Sequence, residues 1–138
     1  MKSVAIVDTN ILVASVVARD PANRRALDVL RDRRHDLVIP ALCVAETCYF
    51  IAMREGPQVE ARFLHGLSRF EVIAPEGEDW PRIAELVRQY ADWPLGGTDA
   101  SIVALAERLN TDTIATLDRR HFERVRPRHC NQFRLLPS

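Results

Sequence analysis

The chain predicts an α/β fold, a mostly parallel sheet with helices on both faces, and three observations lead there. Short apolar runs alternate with amphipathic helical stretches from end to end, the pattern of repeated strand–helix crossovers. The first run, Val4 to Val7, stops abruptly at Asp8, and an apolar stretch from Ile11 to Ala18 follows that can continue as a helix. At 138 residues the chain holds one real core and is too short for two, so residues 1–138 are expected to form a single domain.

The elements follow in order. Asp20 and Pro21 mark a helix start, and Ala22 to Arg34 is amphipathic, with Ala26, Leu27 and Leu30 inward and Arg24, Arg25, Arg31 and Arg33 outward. That basic face reads first as a solvated surface. Leu37 to Ile39 form a second strand closed by Pro40, and a helix then runs from Ala41 to Glu55 with Leu42, Ala45, Tyr49 and Ala52 as its apolar stripe. Gly56 and Pro57 end it and begin another helix, to about Ser68, before a third strand at Phe70, Val72 and Ile73. Asp79 is expected to cap a helix carrying Ile83, Leu86, Val87 and Tyr90, broken by Pro94 to Gly97. Thr98 is expected to cap the next, with Asp99 in its first turn and Ile102, Val103, Ala106 and Leu109 inward. Thr113 to Thr116 form a fourth strand running out through Leu117 to Asp118; an Arg-rich turn and a last strand, Phe133 to Leu136, complete the chain.

Bulk properties limit the function. Nineteen basic and nineteen acidic side chains leave a formal net charge of +0, so attraction to nucleic acid must be local. Lys2 is the sole lysine, and every other basic residue is an arginine, a bidentate phosphate binder that pH cannot neutralise. No apolar run approaches a membrane span and the N-terminus opens as a strand, so a cytoplasmic protein with no membrane association is expected. Cys43, Cys48 and Cys130 form no C-x-x-C pair, which leaves them as reduced side chains; Cys130 beside His129 is a weak metal candidate.

The carboxylates carry the chemistry. In a parallel sheet with right-handed crossovers, strand carboxyl ends share one edge, where open α/β sheets bind their ligands. Asp8 and Asp118 fall on that edge; the helix start bearing Asp99 can lie near it, and Glu46 can reach it if its helix leans over the first strand. Taken singly, Asp8 could cap a helix, Asp99 could complement a helix dipole, and Asp118 could open a turn. Glu46 is harder to explain so blandly. It stands among Ala41, Leu42, Val44, Ala45 and Phe50, with no cation in register before Arg54, and burying it unpaired is expensive. Four carboxylates about 5 Å apart would repel by roughly 3 kcal/mol per pair at an effective dielectric near 20. Around a divalent cation such an array makes sense. As scaffolding it does not.

Asp8-Thr9-Asn10, the stretch Pro40 to Glu46, Thr98 to Ala104, and Thr116 with Asp118 to Phe122 together resemble the PIN-domain ribonucleases, closest to the VapC-type toxins of bacterial toxin–antitoxin pairs. The likeness spans nearly the whole chain. It implies a PIN-like fold with a five-stranded parallel sheet, an endoribonuclease dependent on Mg²⁺ or Mn²⁺, a homodimer, and a small cognate antitoxin. It further implies Asp8, Glu46 and Asp99 as metal-binding catalytic acids, Asp118 as a fourth, and Thr9, Asn10 and Thr116 as the polar residues that orient them. Thr98 departs from the pattern, since relatives usually carry an apolar residue before the aspartate.

RNA beside an acidic site needs local positive charge. Arg119 and Arg120, directly after Asp118, are the expected phosphate contacts, while His35, His65, His121 and His129 are scattered and receive no catalytic role. A phosphoacceptor receiver domain would need a late lysine, and a dinucleotide-binding domain a glycine-rich first turn; the chain has neither. The remaining rival is a PIN-like module that binds RNA or protein without cutting.

Overall fold

The computed structural model describes residues 2–93 and 95–138; Met1 and Pro94, the latter one of the expected helix breakers, lie outside them. Five parallel strands form one sheet: β1 (Ser3–Val7), β2 (His35–Pro40), β3 (Glu71–Ile73), β4 (Thr113–Ala115) and β5 (Arg134–Leu136), in the order β3-β2-β1-β4-β5. The expected α/β architecture is therefore what forms. Ala5, Ile6 and Val7 of the central strand are all fully buried, which requires cover on both faces of the sheet. No helix among the described residues is long and apolar enough to cross a membrane.

The chain starts at the centre, moves out through β2 to β3, then crosses back over β1 to β4 and β5. The gap between the ends of β1 and β4 is thus the topological switch point. Asp8 opens α1 (Thr9–Val16), and its own N–H still pairs with the Ala115 carbonyl at 2.9 Å. α2 (Asn23–Arg31) starts after an Asp20 turn, in which Asp20 Oδ1 accepts the Ala22 N–H. It is shorter than the 22–34 span expected, because β2 needs the chain extended from His35, and it buries Ala26 and Val29 while Leu27 and Leu30 are half-buried.

α3 (Ala41–Glu55) has the expected bounds but not the expected face. Cys43, Thr47 and Ile51 are buried, whereas Tyr49 is 61% exposed and Ala45 and Ala52 also face water. Thr47 explains the difference: its hydroxyl donates to the Cys43 carbonyl at 2.6 Å, so the side chain turns its methyl to the core with its polar atom satisfied. Gly56, at φ 86°, turns the chain from α3 into α4 (Pro57–Gly66), a backbone conformation that side chains with a Cβ rarely adopt.

α5 (Asp79–Gln89) begins at Asp79 rather than after it; that carboxylate accepts from the Glu76 N–H and from Arg108 Nε, both at 2.9 Å. Val87, expected inward, is 37% exposed. α6 (Gly97–Arg108) is capped by Gly96 instead of Thr98, which sits in its first turn. Seven consecutive residues of α6, Ala100 to Ala106, are buried, so this helix runs through the core with little amphipathic contrast. Asn110, at φ 53°, ends it: the Thr111 N–H returns to the Ala106 carbonyl and the Asn110 N–H to Glu107, a Schellman closure that launches β4. The expected Arg-rich turn is a short helix, α7 (Arg119–Glu123), anchored by fully buried Phe122.

Candidate active site at the end of the central strand

A cleft of about 450 Å³ opens at the switch point, lined among others by Asp8, Thr9, Asn10, Glu46, Asp99, Asp118 and His121. All four acids singled out in the sequence therefore reach one site, each from a different place: Asp8 from the β1 end, Glu46 from α3, Asp99 from the first turn of α6, Asp118 from the segment between β4 and α7.

Asp8 is the most constrained. It is 4% exposed; Oδ1 accepts the Thr9 N–H at 2.7 Å, while Oδ2 accepts the Thr116 hydroxyl at 2.8 Å and Asn10 Nδ2 at 3.3 Å. The Asn10 amide is oriented by the Leu117 N–H, which donates to its Oδ1 at 2.9 Å. Thr116 Oγ1 in turn accepts from Asn10 Nδ2 and from the Asp118 N–H. Backbone donors of one strand end thus fix the side chains that hold the carboxylate of the other. Burial, and next the negative charge of Asp99, push the Asp8 carboxyl up to about 7, against the pull of its own hydrogen bonds. Burial also raises the Asp99 carboxyl; the Glu46 and Asp118 charges add to the rise, and His121 opposes it.

His121 is the residue sequence reasoning missed. Its Nδ1 lies 3.1 Å from Asp99 Oδ2 and its Nε2 lies 3.5 Å from Asp118 Oδ2, so the ring stands between two of the acids. The i, i+3 spacing from Asp118 was a usable signal, but only with the helical turn of α7 in hand. Arg54 and Asp20 also line the cleft. Arg119 and Arg120 do not line it. Arg119 donates to the Pro137 carbonyl at 3.2 Å and lies 3.6 Å from Glu123, whereas Arg120 is 81% exposed with Nε 3.8 Å from Asp118.

The donor set suits a hard divalent cation: several carboxylate oxygens and no thiolate facing one cleft. Thr9 Oγ1, buried at the cleft wall, finds no geometrically good hydrogen-bond partner among the described residues. Among the described residues no three His, Cys, Asp or Glu side chains are gathered closely enough to grip an ion by themselves. That is compatible with Mg²⁺, which retains several waters and takes few protein ligands. The residues fit the ion in chemistry.

The chain matches known proteins over nearly its full length. Residues 5–126 match the PIN domain model. Over 134 residues it is 34% identical to Ribonuclease VapC26 of Mycobacterium tuberculosis, covering 96% of this chain and 99% of that protein. Its fold is similar to that of VapC20 from the same species, described as a Sarcin-Ricin loop cleaving toxin (TM-score 0.76, 15% identity, 83% of this chain and 90% of that one). It is likewise similar to a chain of VapBC2 from Rickettsia felis bound to a promoter DNA fragment (TM-score 0.70, 21% identity, 96% of each chain). With the sequence match and the acids in place at the switch point, the chain belongs to the PIN-domain family, among the VapC ribonucleases.

Proposed function

We propose that this chain is an endoribonuclease dependent on Mg²⁺ or Mn²⁺, a single nuclease domain over residues 1–138 and the toxin of a type II toxin–antitoxin pair. The observation that carries the reading is the convergence of Asp8, Glu46, Asp99 and Asp118 on one cleft at the sheet's switch point. Its relationship to a VapC ribonuclease supplies the reaction class. Asp8, Glu46, Asp99 and Asp118 would hold the cation. When bound, it lowers the pKa of a coordinated water and offsets charge on the phosphate under attack.

The protein's own contribution is orientation. Thr116 and Asn10 fix Asp8 Oδ2, and the Thr9 N–H at the start of α1 holds Oδ1, so the carboxylate does not rotate as substrate arrives. His121 turns Nδ1 to Asp99 and Nε2 to Asp118, and so links these two acids in the cleft wall. Arg119 and Arg120, exposed beside Asp118 at the start of α7, contribute phosphate contacts at the rim. The partners that go with this reading are an RNA substrate in the cytoplasm, a second copy of the chain, and a small antitoxin, in keeping with the toxin–antitoxin complexes of similar fold.

The test is chelated protein incubated with a mixed RNA pool, with and without Mg²⁺ or Mn²⁺ added back. Cleavage restored by the ion supports the enzyme; RNA retained on the protein but never cut makes it a binding module instead.

A further inference from the structure

Three residues of α3 face the cleft at intervals of four: Glu46, Phe50 and Arg54. That spacing sets them along one side of the helix, about 12 Å from first to last at 1.5 Å per residue. The row therefore runs from an acid of the proposed catalytic centre outward to a cation, over the reach of a few nucleotides. Arg54 places its guanidinium 5.2 Å from the centre of the Phe50 ring, and the Tyr49 and Phe50 rings pack edge-to-face with their centres 5.7 Å apart. The aromatic face gives the guanidinium a seat without neutralising it.

Arg54 is also left available by its neighbours. Glu55, the nearest acid in sequence, is taken by Arg19, with Nη1 to Oε1 at 2.9 Å and Nη2 to Oε2 at 2.5 Å. Asp20, across the cleft, uses Oδ1 for the Ala22 N–H. Among the described residues Arg54 is the one arginine or lysine lining a cleft that also holds Asp8, Asp20, Glu46, Asp99 and Asp118. A polyanion entering so acidic a space needs a cation away from the reacting phosphate, and an arginine fork matches a phosphodiester.

We propose that Arg54, seated on Phe50, binds a phosphate of single-stranded RNA a few nucleotides from the scissile one, so that α3 sets the direction in which the strand crosses the cleft. This rests on the ribonuclease reading. Arg54 is then a substrate-binding residue and Phe50 a positioning residue.

A fluorescein-labelled single-stranded RNA is titrated by anisotropy over a KCl series in Mg²⁺, in the Asp99→Asn background so that the RNA survives. Adding Arg54→Ala is expected to weaken binding about tenfold, the worth of one charge-assisted contact. The slope of log affinity against log salt should flatten by about 0.7, one phosphate's share for a single strand. Arg54→Lys should keep the slope but regain only part of the affinity, and Phe50→Leu should lose affinity at unchanged slope. If Arg54 merely complemented the C-terminal dipole of α3, Arg54→Ala would lower the melting temperature and leave both affinity and salt slope at the parent's values, and that result overturns the proposal. A parent that binds no RNA instead removes the ribonuclease reading beneath it.

Discussion

Thr116 donates its hydroxyl to Asp8 Oδ2 across 2.8 Å, tying together the ends of two adjacent strands that lie 108 residues apart in the chain. The same oxygen accepts from Asn10 Nδ2 and the Asp118 N–H, so it is the hub of the site's polar network. Thr116→Val keeps the shape and removes both functions. It should destabilise the fold by about 1–3 kcal/mol, the cost of stranding buried polar groups, and reduce RNA cleavage as Asp8 loses its orientation. Thr116→Ser should restore both. Urea unfolding of the pair checks this, and a valine variant as stable as wild type would mean the network is not cohesive.

The Asp8 carboxyl makes metal-free stability depend on pH. Its value rises from 3.8 to about 7 on folding, so between those limits the folded chain keeps a proton that the unfolded chain has released. The unfolded state then binds fewer protons, and stability falls as pH rises through this window. Asp8→Asn should flatten the fall and, at pH 7 in chelator, be more stable than wild type by about 0.5–2 kcal/mol. The asparagine still accepts the Thr9 N–H, which limits the loss from its other bonds. Saturating Mg²⁺ should narrow the gap, because wild type binds the ion more tightly. Melting curves at several pH values, with chelator and with Mg²⁺, measure both effects. An asparagine variant that is less stable in chelator, with the same pH slope, would make Asp8 a structural cap.

How far these features could be read in advance depended on local punctuation. The abrupt end of an apolar run marked Asp8, and Pro40 with Gly56 marked both ends of α3. The inward face of α3 was hidden, because Thr47 looks polar in sequence and becomes core only once its hydroxyl finds the Cys43 carbonyl. The cap of α6 was misplaced for a related reason: Thr98 is a good capping residue, yet Gly96 takes that position and the Thr98 carbonyl accepts from Ser101 instead. His121 stayed invisible because α7 has only five residues, too few to show a helical period, and what holds it is the buried Phe122 ring. Four acids from four elements could be suspected of meeting. The histidine between them could not.

With its ring 3.1 Å from Asp99 and 3.5 Å from Asp118, His121 offsets part of the repulsion that a cation would otherwise relieve. His121→Ala should therefore lower the metal-free melting temperature and gain more than wild type from added Mg²⁺. The difference should be about 1 kcal/mol, or roughly 3–5 °C for a chain of this size. Thermal melts across a Mg²⁺ series read it directly. Equal Mg²⁺-induced rises in variant and wild type would leave His121 as a space filler.

Arg119 and Arg120 sit at the rim and should act additively. Each alanine substitution is expected to flatten the salt dependence of RNA binding by up to about 0.7, with Arg119 the weaker because the Pro137 carbonyl and Glu123 already engage it. Anisotropy titrations over a KCl series distinguish the two. Salt slopes equal to wild type in the double variant would take α7 off the RNA path.

Whether the four acids make a metal-dependent RNA-cleaving centre is read from the cleavage rate of wild type against Asp99→Asn at matched Mg²⁺ or Mn²⁺. Wild type should cut RNA with the ion and stop in chelator, while Asp99→Asn should be slower by roughly a hundredfold or more, as expected for losing one preorganised electrostatic group. Cleavage by Asp99→Asn at the wild-type rate with the same ion, or wild-type cleavage that persists in chelator, would mean that these acids and their ion are not the cleaving centre.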